Sequence, residues 1–201
     1  MDFYVAHETS SDAERNARLI TLVRESRWLM EALVAVRSLG LSSWCIGAGA
    51  IRNLVWDALH NRAVPSKLPD IDVAYFGAQC LAPQRDHDLQ ARLTEVMPHV
   101  PWEVTNQAAV HLWFEECFGH AVPPLESLEE AIASWPEFAT SVALRLEVDD
   151  SITVIAPHGL EDLFGCVVRR NPVRVSVNTY RQRVIQKRYA ERWPMVLVVP
   201  C

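Results

Sequence analysis

The sequence predicts a mixed α/β protein, a small sheet flanked by helices. Three observations carry that expectation. Trp44-Cys45-Ile46 is a short apolar run that passes through the small-residue turn Gly47-Ala48-Gly49-Ala50 into a helical pattern. Asp70 to Phe76 alternates in the manner of a strand, and Ser141 to Glu147 followed by Ile152 to Ala156 reads as a hairpin.

The elements follow in order. From Ser11 to Leu39, Leu19, Leu22, Val23, Leu29, Met30, Leu33 and Val36 recur at helical spacing, with Ser11 or Asp12 as cap and Gly40 as stop. This predicts one long helix or two consecutive ones. Ile51 to His60 is the helix after the turn, and Asn61 to Pro69, with two prolines, is the loop that delivers the chain to the Asp70 strand. A helix from about Asp86 to Met97 and a strand around Trp102-Glu103-Val104 come next. Helical stretches at His111 to Phe118 and Ser127 to Trp135 precede the hairpin, which turns at Asp149-Asp150. Leu160 to Phe164 is helix-like, and Thr179 to Arg192 forms a basic tail.

With 201 residues, half of them hydrophobic, the chain suffices for one good core, and a single folded unit over 1–201 is expected. The net charge of −6 argues against a surface that grips a phosphate backbone throughout its length. Five widely spaced cysteines without a CxxC pair argue against a disulfide framework or a zinc ribbon. Met1 to Asp12 lacks a basic-then-apolar leader, and no apolar run reaches the roughly 18 residues of a membrane helix, so a cytoplasmic protein without a membrane partner is expected.

The chemistry concentrates in two segments. Asp70 and Asp72 stand at i and i+2 on a strand, so their side chains share one face about 6 to 7 Å apart and their oxygens can converge on metal ions. Two-metal sites with ions about 3.5 to 4 Å apart clamp the oxygens of an in-line displacement. The bland alternative is a pair of surface residues on a half-exposed strand. Upstream, Gly47, Ala48 and Gly49 let backbone N–H groups approach a ligand, a helix begins behind them, and Arg52 supplies a cation in its first turn. A tight turn without a ligand is the competing reading. No Walker lysine follows, and GxGxxG is absent.

Ile46-Gly47-Ala48-Gly49-Ala50-Ile51-Arg52-Asn53 resembles the glycine turn and arginine of CCA-adding enzymes and poly(A) polymerases, and Asp70-Ile71-Asp72 resembles their metal-binding pair. Both groups belong to the DNA polymerase beta-like nucleotidyltransferase superfamily. Trp44 to Asn53, Val55-Trp56-Asp57, Asp70 to Phe76, Trp102 to Gln107, His111, Trp135-Pro136-Glu137, Ala156-Pro157 and Gly159 to Phe164 look like a family of small bacterial nucleotidyltransferases. The resemblance implies a polymerase beta-type core sheet in which the turn strand and the Asp-x-Asp strand adjoin, with a third carboxylate on a neighbouring strand. Glu103 is the candidate, and Glu147 on the hairpin is the fallback. The resemblance further implies a nucleoside triphosphate held by Gly47, Ala48, Gly49, Ala50, Arg52 and Asn53. Mg²⁺ or Mn²⁺ would be held by Asp70, Asp72 and Glu103, and a nucleoside monophosphate passed to an acceptor with release of pyrophosphate. Ala50 replaces a serine frequent in the superfamily, and Asn53 replaces the aspartate of CCA-type enzymes. With the size and charge of the chain, this favours a small-molecule or protein acceptor over tRNA.

The remaining candidates are read as structural. His111 and Glu115 stand at i, i+4 and could line a pocket, but a satisfied polar patch accounts for His111. Zinc spacing is absent, as is the GxSxG of a serine hydrolase. The seven tryptophans are expected in core and interface packing. Arg181, Arg183, Lys187 and Arg188 could reach a triphosphate, although a solvated helix face explains any one of them. The alternative to an enzyme is a catalytically silent nucleotide-binding or protein-interaction module on the same fold.

Overall fold

Ser11 opens the first helix through a reciprocal capping box: its hydroxyl accepts from the Glu14 N–H, and the Glu14 carboxylate accepts from its own. The computed structural model describes residues 11–201. The predicted N-terminal helical stretch is two helices, α1 (Asp12–Glu25) and α2 (Arg27–Arg37), because the backbone turns extended at Ser26. Gly40 adopts a φ of +71°, the left-handed geometry that lets the chain leave α2 and start β1 (Trp44–Gly47).

The elements β1, α3 (Gly49–Leu59), β2 (Ile71–Tyr75), α4 (Pro83–Val96) and β3 (Trp102–Asn106) follow the predicted order. Pro83 at the start of α4 moves that helix three residues ahead of the expected Asp86. After β3, the stretch from Gln107 winds as a 3₁₀ helix before α5 (Phe114–Phe118) and α6 (Leu128–Ala133). The hairpin forms as β4 (Ala143–Leu146) and β5 (Ile152–Ile155), with Asp150 at positive φ in its turn. Beyond α7 (Glu161–Phe164), the chain adds β6 (Val167–Val168), α8 (Val177–Lys187), α9 (Tyr189–Arg192) and β7 (Leu197–Val198). The two-stranded β6–β7 sheet has too short a signal to have been expected from the sequence.

The main sheet has the order β3-β2-β1-β4-β5, with β2 and β3 parallel and the other neighbours antiparallel. Strand parity assigns its two faces. Trp44, Ile46, Ile71, Val73, Tyr75, Trp102, Val104, Leu144 and Leu146 join the main core with α1, α2 and α3. On the opposite face Cys45, Ala74 and Ala143 pack with Leu128, Ile132 and Trp135 in a smaller cluster. That second cluster covers only part of the face; the remainder carries the site.

All five cysteines are free thiols. Trp44, Trp56, Trp102 and Trp193 are buried, in keeping with packing roles. Among the described residues no helix is long and apolar enough to cross a membrane.

Candidate active site

Asp72 pairs in register with Glu103 across the parallel β2–β3 ladder, so the two side chains are next neighbours on the uncovered face. Asp70 lies just before β2 with the same parity, and all three line one cavity of about 280 Å³. Like charges placed opposite one another oppose folding, so three carboxylates kept together on one face mark a candidate functional site. Burial, reinforced by Asp70 and Glu103, pushes the Asp72 carboxyl up to about 6; Lys187 and the approaching backbone N–H of Gly49 oppose the shift. Glu103 itself is exposed at the sheet edge, open to both cavity and solvent.

Glu147 shares this face but lies at the other end of β4. Ala143 pairs with Gly47 at the site end, and four residues at roughly 3.3 Å each carry Glu147 about 13 Å away. Its carboxylate is engaged by Arg145 at 2.7 Å and Thr153 at 2.6 Å. It does not line the cavity.

The turn that borders the carboxylates is built by contacts the sequence does not reveal. A Cβ on Gly47 would stand 2.6 Å from the Trp135 ring, so only glycine lets that indole cover the strand end. Ala48 holds φ 50° and ψ −117° at the cap of α3, with its N–H donated to the Val142 carbonyl. Ala48, Gly49 and Arg52 line the cavity, whereas Gly47, expected with them, lies against the Trp135 ring outside the lining and the Ala50 side chain is fully buried in the core.

Arg52 is 4% exposed and sits among the rings of Tyr189, Trp56 and Trp193, with its guanidinium carbon 5.1 to 5.5 Å from their centroids. Its Nε and Nη2 donate to the Asn53 side-chain oxygen at 3.2 and 2.7 Å. Asn53 faces away from the cavity, so its observed contact is with Arg52, which it orients from behind. Helical geometry accounts for the split: successive residues point about 100° apart, so Arg52 enters the cavity while Asn53 stays beside it.

Three cavity residues come from the tail: Arg183 and Lys187 on α8 and Arg192 at the end of α9. The i, i+4 spacing of the first pair marks them as one helix face, but nothing local shows that this face closes over β2. Arg183 forms a two-point ion pair with the buried Glu137, at 2.8 and 3.1 Å. Glu137 is 1% exposed; burial alone would raise its pKa, yet Arg183 and the Thr140 hydroxyl hold it below the usual carboxylate range. Arg181 instead donates to the Cys201 carbonyl, and Arg188 pairs with Glu191, both outside the cavity. His111 does not line it either, and its Nδ1 is buried without a hydrogen-bond partner, so the polar patch expected there is not fully satisfied.

The chain that builds this cavity, with carboxylates on its floor, cations on its wall and a strand–turn–helix at one end, is similar to known proteins. The model of the Nucleotidyltransferase family covers residues 34–198. The chain belongs to the nucleotidyltransferase family. No curated protein matches alongside that family assignment.

Among solved structures, an NMR structure described as revealing a CCA-adding enzyme head domain is 27% identical with a TM-score of 0.76, over 92% of this chain and 96% of that one. A CCA-adding enzyme in complex with CTP superposes with a TM-score of 0.54 at 12% identity, over 91% of this chain. The Thermotoga maritima CCA-adding enzyme complexed with tRNA gives the same TM-score and identity, again over 91% of this chain. This nucleotidyltransferase spans 43% and 42% of those two longer chains, and the shared feature is the fold.

Proposed function

We propose that this nucleotidyltransferase is a cytoplasmic, metal-dependent enzyme that transfers a nucleoside monophosphate from a nucleoside triphosphate to an acceptor, with release of pyrophosphate. The observation that carries the reading is the Asp70, Asp72 and Glu103 triad on one wall of a cavity whose other wall is cationic. A new bond forms between the acceptor oxygen and the α-phosphorus, the bond from that phosphorus to the β-bridging oxygen breaks, and the electron pair leaves with pyrophosphate. Glu103, exposed at the mouth of the site, takes the acceptor proton or completes the metal ligands.

The donor set fits a hard divalent cation, because it is all oxygen and because burial together with Asp70 and Glu103 disfavours the bare charge on Asp72. Among the described residues no group of three or more His, Cys, Asp or Glu side chains is placed to hold a metal ion without further ligands. An open set of this kind suits Mg²⁺ or Mn²⁺, which is held by one or two carboxylates and by the substrate's own phosphates. Bound there, the ion supplies charge neutralisation at the phosphates. Ala48, Gly49 and Arg52, which line the cavity, fix one end of the substrate, and most of the rate comes from positioning and preorganised charge. The free thiols accord with a reducing compartment. A small molecule or a protein is proposed as acceptor in preference to tRNA, on the net charge of −6.

The test is pyrophosphate release from each labelled nucleoside triphosphate with Mg²⁺ or Mn²⁺ across a panel of acceptors. Asp70→Asn and Asp72→Asn are each expected to lower it by roughly a hundredfold or more, and chelation should abolish it. Transfer that survives both substitutions removes the site assignment.

A further inference from the structure

The cavity's cations differ in what they are free to do. Arg183 is tied to Glu137 by two hydrogen bonds, and Arg52 is enclosed by three rings and held by Asn53. Neither can swing to follow a ligand. Lys187 and Arg192 are in no ion pair among the described residues. The side-chain hydrogen bond of Arg192 is a long one, from Nη2 to the Lys67 carbonyl at 3.3 Å.

Arg192 is also crowded by its own sign of charge. Its guanidinium carbon stands over the Trp193 ring, 4.2 Å from the centroid, and those of Arg62 and Arg52 approach the same ring at 5.9 and 5.5 Å. Burial, then the neighbouring Arg52, lower the Arg192 pKa, and Asp57 offsets part of that. Two hollows at the cavity mouth continue this surface past Pro69: one adds Arg62 and Lys67, the other Lys187 and the Arg188–Glu191 ion pair, and Arg192 belongs to both. A multiply charged anion lying there would relieve the crowding. Across the same cavity, Asp70, Asp72 and Glu103 repel any anion that arrives without a cation of its own.

We propose that Lys187 and Arg192, on the C-terminal helices, hold the β- and γ-phosphates of the triphosphate, with the α-phosphate directed toward the carboxylates on β2 and β3. The proposal rests on the nucleotidyl-transfer reading and adds that the tail, in addition to the glycine turn, recognises the polyphosphate. It predicts selectivity for triphosphates over monophosphates, because a monophosphate lacks the β- and γ-phosphates that these two cations would hold.

The test is titration calorimetry in Mg²⁺ with ATP, CTP, AMP and inorganic tripolyphosphate. Lys187→Gln and Arg192→Gln are each expected to weaken ATP and tripolyphosphate binding about tenfold or more and to leave AMP nearly unchanged, since a charge-assisted contact to phosphate is lost. Arg181→Gln, whose guanidinium reaches the Cys201 carbonyl outside the cavity, should bind as the wild type does. Because Arg192 packs on a buried ring, Lys187→Gln alone carries the test if the Arg192 variant does not fold. Wild-type ATP binding that both variants retain, or a loss that falls equally on AMP, overturns the proposal and leaves the transfer reading in place. If the wild type binds neither ATP nor tripolyphosphate, both fall.

Discussion

Ala48 caps α3 in a backbone conformation that a residue with a Cβ adopts at a cost of on the order of 1 to 3 kcal/mol. The Val142 carbonyl and the strand-to-helix geometry hold it there. Ala48→Gly should therefore raise stability by about 1 kcal/mol, because the released strain exceeds the roughly 0.4 to 1 kcal/mol that glycine adds to the entropy of the unfolded chain. Urea denaturation measures this, and an unchanged or lower midpoint would show that no strain is stored. Arg52 was legible as a cation beside a turn, but its ring enclosure was not, since Tyr189 and Trp193 lie more than a hundred residues away in sequence. Asn53 shows the same limit: a residue adjacent in sequence to a site residue turns away from the site when the segment is helical.

At the scale of elements, α8 is fastened to the turn before β4 by Arg183 and Glu137. Removing one partner of a buried pair leaves an uncompensated charge, so Glu137→Ala should destabilise by roughly 3 kcal/mol or more. The pH dependence has a definite sign. Glu137 titrates lower when folded than unfolded, so its stabilisation is complete above the ordinary carboxylate pKa and fades as pH falls through its folded value. The stability difference between wild type and Glu137→Gln should thus be flat above about pH 5.5 and shrink below about pH 4.5; a difference that grows toward acid would contradict the assignment. Asp57 fastens another pair of elements, accepting from Trp193 Nε1 at 2.7 Å and from Ser66 N and Oγ at 2.6 Å. That ties the loop before Asp70 to the tail, a coupling invisible in sequence because both partners are distant and ordinary in type.

For the molecule as a whole, the basic tail is part of the core. Trp193 is fully buried and meets Trp56 edge-on with ring centroids 5.2 Å apart. Trp193→Ala should accordingly cost about 3 to 5 kcal/mol in urea unfolding, far beyond what an appended surface helix would lose. By itself the sequence determined the α/β order, the strand–turn–helix, the Asp-x-Asp strand and the parity that sets Asp70 and Asp72 on one face, since those follow from local periodicity and turn chemistry. It left Glu103 and Glu147 as alternatives. Only the tertiary structure decided which of them stands beside Asp72, because strand order and register place Glu103 opposite it and Glu147 at the far end of β4. The fold likewise decided that α8 and α9 wall the cavity. Such contacts depend on which distant surfaces bury each other, and periodicity along the chain carries no record of that.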